Sequence, residues 1–498
     1  MNVNPITRLD YPDPDVIRVE DTYYMVSTTM HFMPGCEILQ SFDLVHWEHA
    51  TYVYETLDHT DAQQLKSGQN IYGQGMWAAS LRYHEGRFCI CFVANDTRKT
   101  YLYTSEKIDG PWKKQLIEGF YHDGSLLFDE DGRNYIVYGN DEIWITELNE
   151  DLTAPKKDGL HRLLVSDHKN PELGYEGSHI QKINGYYYIF LVHSLRDHWM
   201  RTEACFYSDS LEGEFTGGDV LCDDRGYCGQ GVAQGGIVDT PDGKWYAMLF
   251  QDSGAVGRIP ILVPVTWKDH FPFFGQNGHV PEKIEVHSTR PGYIYQPLVG
   301  SDDFCNGLLP RWQFNHDPDP RYYHLDALQG TYTITTREVC TELTQAVNTL
   351  TQRMSYPSCA AEVTVDASAL KEGDVAGLCA LQSCYAAVGI TKHHGKYEVL
   401  MLDKKEDGIL DMTEGTVVES HQMDFRLEAD FCNMKDEARC YYRVNKGDWL
   451  PIGTVHKLYF KLDHFTGCRF GLFCYAAEET GGSACFRDFK YYDVDEIS

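Results

Sequence analysis

The sequence shows little helical periodicity in its first 290 residues, no excess of basic side chains and no long apolar run. Each absence excludes something. Lysine and arginine number 43 against 74 aspartates and glutamates, giving a formal charge of −31. Nucleic acid needs a basic footprint to meet its phosphates, and an anionic membrane surface or a polyuronate needs the same. Neutral partners remain. No stretch approaches the ~20 apolar residues of a membrane helix. The opening MNVNPITRLDYPDPDVIRVEDTYYM has no basic segment followed by an apolar one, so no signal peptide is expected. Sixteen cysteines are present, without a CxxC pair or a tight Cys/His cluster that would point to zinc. Buried free thiols and a cytoplasmic location are therefore the expectation.

A chain of 498 residues exceeds what one hydrophobic core usually supports, so two domains are expected. Short β-branched and aromatic runs, broken by Gly, Asp and Asn, replace helical periodicity. Five segments share one layout: DPDVIRVEDTYYMVS from Asp13, WAASLRYHEGRFCICFV from Trp77, DGSLLFDEDGRNYIVYG from Asp123, EGSHIQKINGYYYIFLV from Glu176 and QGGIVDTPDGKWYAMLF from Gln234. In the last four a glycine arrives nine positions after the opening residue, at Gly86, Gly132, Gly185 and Gly243; in the first, Asp21 and Thr22 occupy the expected turn. Each segment reads as strand, tight turn and returning strand. A repeat of roughly 46 to 64 residues fits the four-stranded blade of a β-propeller, so the chain is expected to be all-β with five blades over residues 1–295.

Innermost propeller strands surround the axis, so their equivalent positions converge. The opening residues Asp13, Trp77, Asp123, Glu176 and Gln234 would then ring one pocket. An aspartate before a strand is ordinarily a turn residue, but turn geometry would favour Asp or Asn throughout, and Glu176 does not fit it. Glycoside hydrolysis needs one carboxyl raised in pKa to protonate the leaving oxygen and one ionised. A third can keep the acid protonated by like-charge repulsion. Asp13, Asp123 and Glu176 could fill these roles, although spacing does not say which is which. Trp77 could stack on a sugar face. Arg258 could reach a ring hydroxyl, orient a carboxylate or make a structural ion pair.

Residues 1–290 resemble glycoside hydrolase family 43, the inverting β-xylosidases and α-L-arabinofuranosidases. YPDPDVIRVEDTYYMVSTT resembles the family's opening, which implies Asp13 as general base. HDGSLLFDEDGRNY implies Asp123 as the pKa-modulating aspartate, and EGSHIQKINGYYY implies Glu176 as general acid. HFMPGCEILQSFDLVHW implies that Phe32 lines the sugar subsite. Trp77 matches a W-A-P-S segment, with Ala79 where proline is usual, and the VGR segment implies that Arg258 contacts substrate. Many members hold a cation, commonly calcium, in the central channel with a histidine near the start of the fifth blade; here Gln234 stands there, which places that metal in doubt. His179 reads as a structural histidine.

After about residue 295 the repeat ends. Alternating runs such as AAEVTVDAS, AGLCALQ, YEVLML and CRFGLFCY suggest a two-sheet sandwich over residues 300–498. This region resembles the concanavalin-A-like domain of the longer β-xylosidases, which implies a loop that narrows the pocket mouth. Asn315 to Arg321 is the candidate segment, with plain domain packing as the alternative. Asp303 and Asp488 are candidate calcium ligands, since hard cations take oxygen donors. No organic cofactor is implied.

The reading is an exo-acting, inverting hydrolase of small xylo- or arabino-oligosaccharides, with β-xylosidase favoured over α-L-arabinofuranosidase. A fructan hydrolase would carry a W-M-N-D-P-N-G motif, which is absent. A catalytically silent sugar-binding protein would be expected to lose a carboxyl.

Overall fold

The computed structural model of the chain describes residues 3–461 and 464–493. Each of the five echoes forms the inner hairpin of a four-stranded antiparallel sheet. The innermost strands are Asp15–Val19, Met76–His84, Ser125–Phe128, Glu176–Ile183 and Ile237–Asp239. The glycine spacing has a local cause. Glu85–Gly86 and Asn184–Gly185 are two-residue turns with positive φ at both positions (49° and 78°, 51° and 85°), the backbone whose twist matches an antiparallel hairpin. Asp129–Arg133 and Thr240–Lys244 are five-residue loops closed by the same 2.9 Å bond from first amide to last carbonyl, with Gly132 and Gly243 both at φ 81°. In the first echo the turn falls one residue earlier than expected: Glu20 takes φ 56°, and Thr22 already opens the returning strand.

Adjacent blades bury their alternating apolar faces against each other. Leu81, Ile90 and Phe92 of blade 2 meet Val26 and Ile38 of blade 1. Val137 and Ile145 of blade 3 likewise meet Ile180 and Ile189 of blade 4. The ring closes through the N-terminal segment, which lies along blade 5. The Asn4 side chain exchanges two 2.8 Å bonds with the Leu262 backbone, and the Tyr11 amide donates to Arg258 O at 2.9 Å. That closure carries Asp10 and Asp13 to Arg258.

The sandwich follows, with sheets of nine and seven strands. Its core includes Trp312, Leu350, Leu378, Val388, Phe425, Phe470 and Phe486, all at most 1% exposed. One strand of the larger sheet comes from the propeller: Phe32–Met33 pairs with Gln313–Asn315, matching Phe32 to Asn315 and Met33 to Phe314. Buried ion pairing reinforces the join, with Arg353 Nη1 2.8 Å from Glu37 Oε2. A shared strand, unlike a flexible tether, fixes where sandwich loops fall relative to the propeller axis.

Among the described residues no helix is long and apolar enough to cross a membrane. Most cysteines are buried, Cys36, Cys91 and Cys379 among them, while Cys222, Cys228, Cys305 and Cys432 are exposed.

Candidate active site

The opening residues of the five echoes do converge. Asp13, Trp77, Asp123, Glu176 and Gln234 line one cavity of about 190 Å³, together with Ala78, His122, Leu173, Arg201, Arg258 and Phe465. The backbone turns them inward. Asp13, Asp123 and Gln234 hold φ of 52°, 48° and 60°, a left-handed conformation that is unusual outside glycine. Such strain concentrates at functional sites, where the surrounding fold enforces it. Glu176 instead precedes Gly177, at φ 65°, where an added Cβ would sit 2.7 Å from Gln234 Cγ. Only glycine lets blades 4 and 5 approach this closely.

Asp13 is 3% exposed. Its Oδ2 accepts from Thr28 Oγ1 and its Oδ1 from Arg258 Nη1, both at 2.6 Å. Arg258 Nε in turn donates to Asp252 Oδ1 at 3.2 Å, and Asp252 Oδ2 accepts from Arg201 Nε at 2.9 Å. Of the three roles open to Arg258, the geometry realises two: it orients the Asp13 carboxylate and makes a buried ion pair with Asp252. Asp123 Oδ2 accepts from the Gly177 amide at 3.0 Å. Burial, with Glu176 and Asp13 nearby, raises the Asp123 carboxyl to about 6 despite the opposing charge of His122. Glu176 Oε2 accepts from Asn140 Nδ2 at 2.6 Å. Burial pushes Glu176 up, but His122, Arg201 and Arg258 outweigh it and hold the carboxyl below its ordinary range. Gln234 is set by its amide, which donates to Glu203 Oε2 at 2.7 Å.

One expected site residue and the expected loop lie elsewhere. Phe32 does not line the cavity: it is 1% exposed in the strand shared with the sandwich, under the Arg469 guanidinium at 3.5 Å. Its place in a cross-domain strand consumes its ring in packing. The segment Asn315 to Arg321 packs domain on domain, with the His316 amide bonded to His31 O and that of Asp317 to Gln63 O. The sandwich reaches the cavity with Phe465 instead. That ring lies 3.9 Å from the Arg258 guanidinium carbon and edge-on to Trp77 at 5.5 Å.

Asp303 and Asp488 flank an antiparallel bridge between Asp302 and Phe489, and Asp303 Oδ1 accepts from the Cys305 amide. Among the described residues no third carboxylate, histidine or cysteine completes a ligand group with them. The channel beneath the pocket does not fit a calcium ion either. The Arg82 guanidinium crosses it and puts a fixed positive charge there: Nη1 is 2.7 Å from Asp15 Oδ2, and Nη2 donates to Ser125 Oγ at 2.7 Å and Ile180 O at 3.1 Å. His179 Nδ1 is 3.1 Å from Asp15 Oδ1, which makes it the structural histidine the sequence suggested. Burial would raise Asp15, yet Arg82 and His179 hold it below the ordinary carboxylate range. The ligand atoms of His122, Asp123 and Glu176 lie within 4.8 Å of each other. Arg201 and Arg258 already bring positive charge to that cluster, so these three are read as a proton site rather than a metal site.

Besides the small apolar wall residues Ala78 and Leu173, three residues of the cavity escaped the sequence reading. His122 was available as a titratable neighbour of Asp123. Arg201 was available as a charge opening the otherwise buried strand Arg201–Ser208. Phe465 had no local signal, since it comes from the other domain.

A five-bladed propeller with three carboxyls at the mouth of its axis, capped by a β-sandwich, defines a carbohydrate-processing enzyme. The chain belongs to glycosyl hydrolases family 43, whose model matches residues 3–272; residues 301–492 match the β-xylosidase C-terminal concanavalin-A-like domain. It is a glycoside hydrolase. It is 26% identical to a β-xylosidase of Formosa agariphila, over 99% of this chain and 89% of that protein. It is 24% identical to the non-reducing end α-L-arabinofuranosidase BoGH43B of Bacteroides ovatus, over 82% and 79%. Among solved structures, a bifunctional GH43-CE protein of Bacteroides eggerthii superposes with a TM-score of 0.92 at 42% identity, covering all of this chain. The chain spans 64% of that protein's length.

Proposed function

We propose that the chain is an exo-acting, inverting glycosidase that releases terminal xylose from short xylo-oligosaccharides. Asp13 takes the proton from the attacking water, Glu176 protonates the leaving oxygen, and Asp123 tunes Glu176. The observation that carries this is the convergence of three carboxyls from three blades on one small, capped cavity. Its volume is well under the about 300 Å³ at which pockets for larger ligands begin, which suits a single terminal sugar. Arg258 and Thr28, each 2.6 Å from one oxygen of Asp13, fix the orientation of that carboxyl, as a base aimed at one water requires. Phe465 and Trp77 present apolar faces on which a pentose ring could stack. The names of the relatives, and the description of the second domain, support a pentoside substrate with xylose first. Exposed thiols at Cys222, Cys228, Cys305 and Cys432 suit a reducing compartment, which supports a cytoplasmic role on imported oligosaccharides.

The test is a parallel assay on 4-nitrophenyl β-D-xylopyranoside, the matching α-L-arabinofuranoside, xylobiose and arabino-xylo-oligosaccharides. Free xylose from xylobiose, first appearing as the inverted anomer, is the expected result. Arabinose release without xylobiose cleavage would make the protein a debranching arabinofuranosidase. That second reading rests on the arabinofuranosidase relative. No turnover of any of the four would overturn both.

A further inference from the structure

We infer that His122 is a positioning residue that stores, on its Nε2, the proton Glu176 passes to the departing sugar oxygen. Its Nε2 lies 3.5 Å from Glu176 Oε2 and 3.6 Å from Asp123 Oδ2. Both distances are too long for a fixed hydrogen bond and short enough for an ion pair. Nε2 is buried and no well-formed hydrogen bond among the described residues holds it, with Glu176 the slightly nearer of its two carboxylate neighbours and drawing on its proton. The ring lies edge-on to Trp77 at 6.0 Å, on the cavity wall.

The charges around this imidazole explain why a store is needed. Asp123, Glu176 and Asp13 act on it as negative charges, and Arg201 and Arg258 line the same cavity and act on Glu176. Asp123 above all, with Glu176 and Asp13, raises His122 to about 9 against the opposing effect of burial. Glu176 in the same free site is held low. At neutral pH the proton required for general acid catalysis therefore rests on the imidazole. When a sugar fills the cavity and excludes water, a neutral imidazole beside a neutral carboxyl is favoured over a desolvated ion pair. The proton moves from His122 Nε2 to Glu176. The Glu176 O–H then protonates the glycosidic oxygen as its bond to the anomeric carbon breaks, and the bonding pair leaves with that oxygen. Water adds to the anomeric carbon and gives its proton to Asp13. Solvent returns a proton to His122 and takes one from Asp13, so the sum is glycoside plus water giving two sugars.

This rests on Glu176 being the acid, and the test separates the two claims. The pH profile of kcat/KM on xylobiose would be measured for the wild-type chain and for His122→Gln, with thermal melts verifying that the variant folds. If the imidazolium stores the proton, the site keeps its last proton to about pH 9 in the wild type. The basic limb should then move at least one pH unit lower in His122→Gln. A limb that stays put, or that moves upward because Glu176 has only lost a nearby positive charge, would overturn the inference. Nitrogen-15 NMR of the full wild-type chain gives a check independent of any variant: the His122 ring should stay protonated past pH 8, and titration near 6.5 would also overturn it. Failure of the Glu176 assignment is seen elsewhere, in Glu176→Ala losing equally on xylobiose and on the nitrophenyl xyloside.

Discussion

Along the propeller axis, two clusters of ionisable side chains stand a few residues apart on the same innermost strands and differ in how their charges are met. Deeper in, Asp15 is fully buried and matched by Arg82 and His179, with the spare Arg82 donors taken up by Ser125 and by backbone carbonyls. At the mouth, Asp13, Asp123 and Glu176 gather around one imidazole and two guanidinium groups, and Asp123 is pushed toward neutrality. The first arrangement leaves no carboxylate with a proton to move. The second crowds three carboxyls onto shared cations and leaves one of them, Asp123, raised toward neutrality. A closed network stabilises the ring, while an incompletely matched one can do acid–base chemistry, and the propeller places them one register apart.

The comparison breaks most visibly if one aspartate of each cluster is removed. Asp13→Ala should still fold, since Arg258 keeps its pair with Asp252, and should lose about 10³-fold or more of turnover on both xylobiose and the nitrophenyl xyloside, because water activation is needed for either. Asp15→Ala should instead destabilise the fold by about 3–5 kcal/mol, since it leaves a buried guanidinium and imidazole without their anion. Urea unfolding beside initial rates distinguishes the two, and an Asp15→Ala chain as stable as wild type would remove the structural reading of the channel. Glu176→Ala comes next: a loss of about 10²–10⁴-fold on xylobiose, and much less on the nitrophenyl xyloside, whose leaving group needs no acid. Equal losses would take the acid role from Glu176.

The two clusters should also respond oppositely to pH. Asp123 is raised to about 6 from an ordinary 3.8, so folding takes up a proton between those values. Its contribution is full below pH ~4 and declines as pH rises through 6. Asp15 is lowered, so its contribution is present above the ordinary carboxylate range and is lost as pH falls through its folded value. Asp123→Asn should therefore stabilise the chain at pH 7.5 by about 1–3 kcal/mol, with the gain vanishing near pH 4. No gain at pH 7.5 would mean that His122 fully compensates the ionised carboxylate.

Much of this was legible because a propeller repeats. Four glycines at a fixed offset marked the hairpin turns, and equal position in a repeat predicted that five residues far apart in sequence would meet. What was not legible crosses between domains or depends on a side chain's second neighbour. Phe32 follows His31 in a motif next to the first hairpin, but its ring is claimed by Arg469 and its backbone by Asn315, more than 280 residues later. No local pattern encodes a strand donated to the other domain's sheet. Of the segment Asn315 to Arg321, Asn315 ends the strand that pairs with Phe32, and His316 and Asp317 bond to the propeller backbone at His31 and Gln63. Arg82 was hidden differently: it is the one Arg, Lys, Asp or Glu in the strand Met76–His84, and only closure of the ring shows that its guanidinium reaches Asp15, Ser125 and Ile180 on three other blades.

The smallest expected effect concerns the cap. Phe465 touches the Arg258 guanidinium and the edge of Trp77, and belongs to neither charge cluster. Removing its ring leaves Asp13, Asp123 and Glu176 in place, so kcat should change little. It does remove one apolar wall of a cavity of about 190 Å³ and a cation–π contact of about 1–2 kcal/mol that holds Arg258 against Asp13. Phe465→Ala should thus raise KM for xylobiose by about five- to thirtyfold, the range that energy corresponds to, and should make longer xylo-oligosaccharides relatively better substrates as the mouth widens. Phe32→Ala is the internal control: it should lower Tm by loosening the shared strand while leaving KM nearly unchanged. If Phe32→Ala raised KM and Phe465→Ala did not, the sugar would lie against the propeller's first blade, and the sandwich would serve only to brace it.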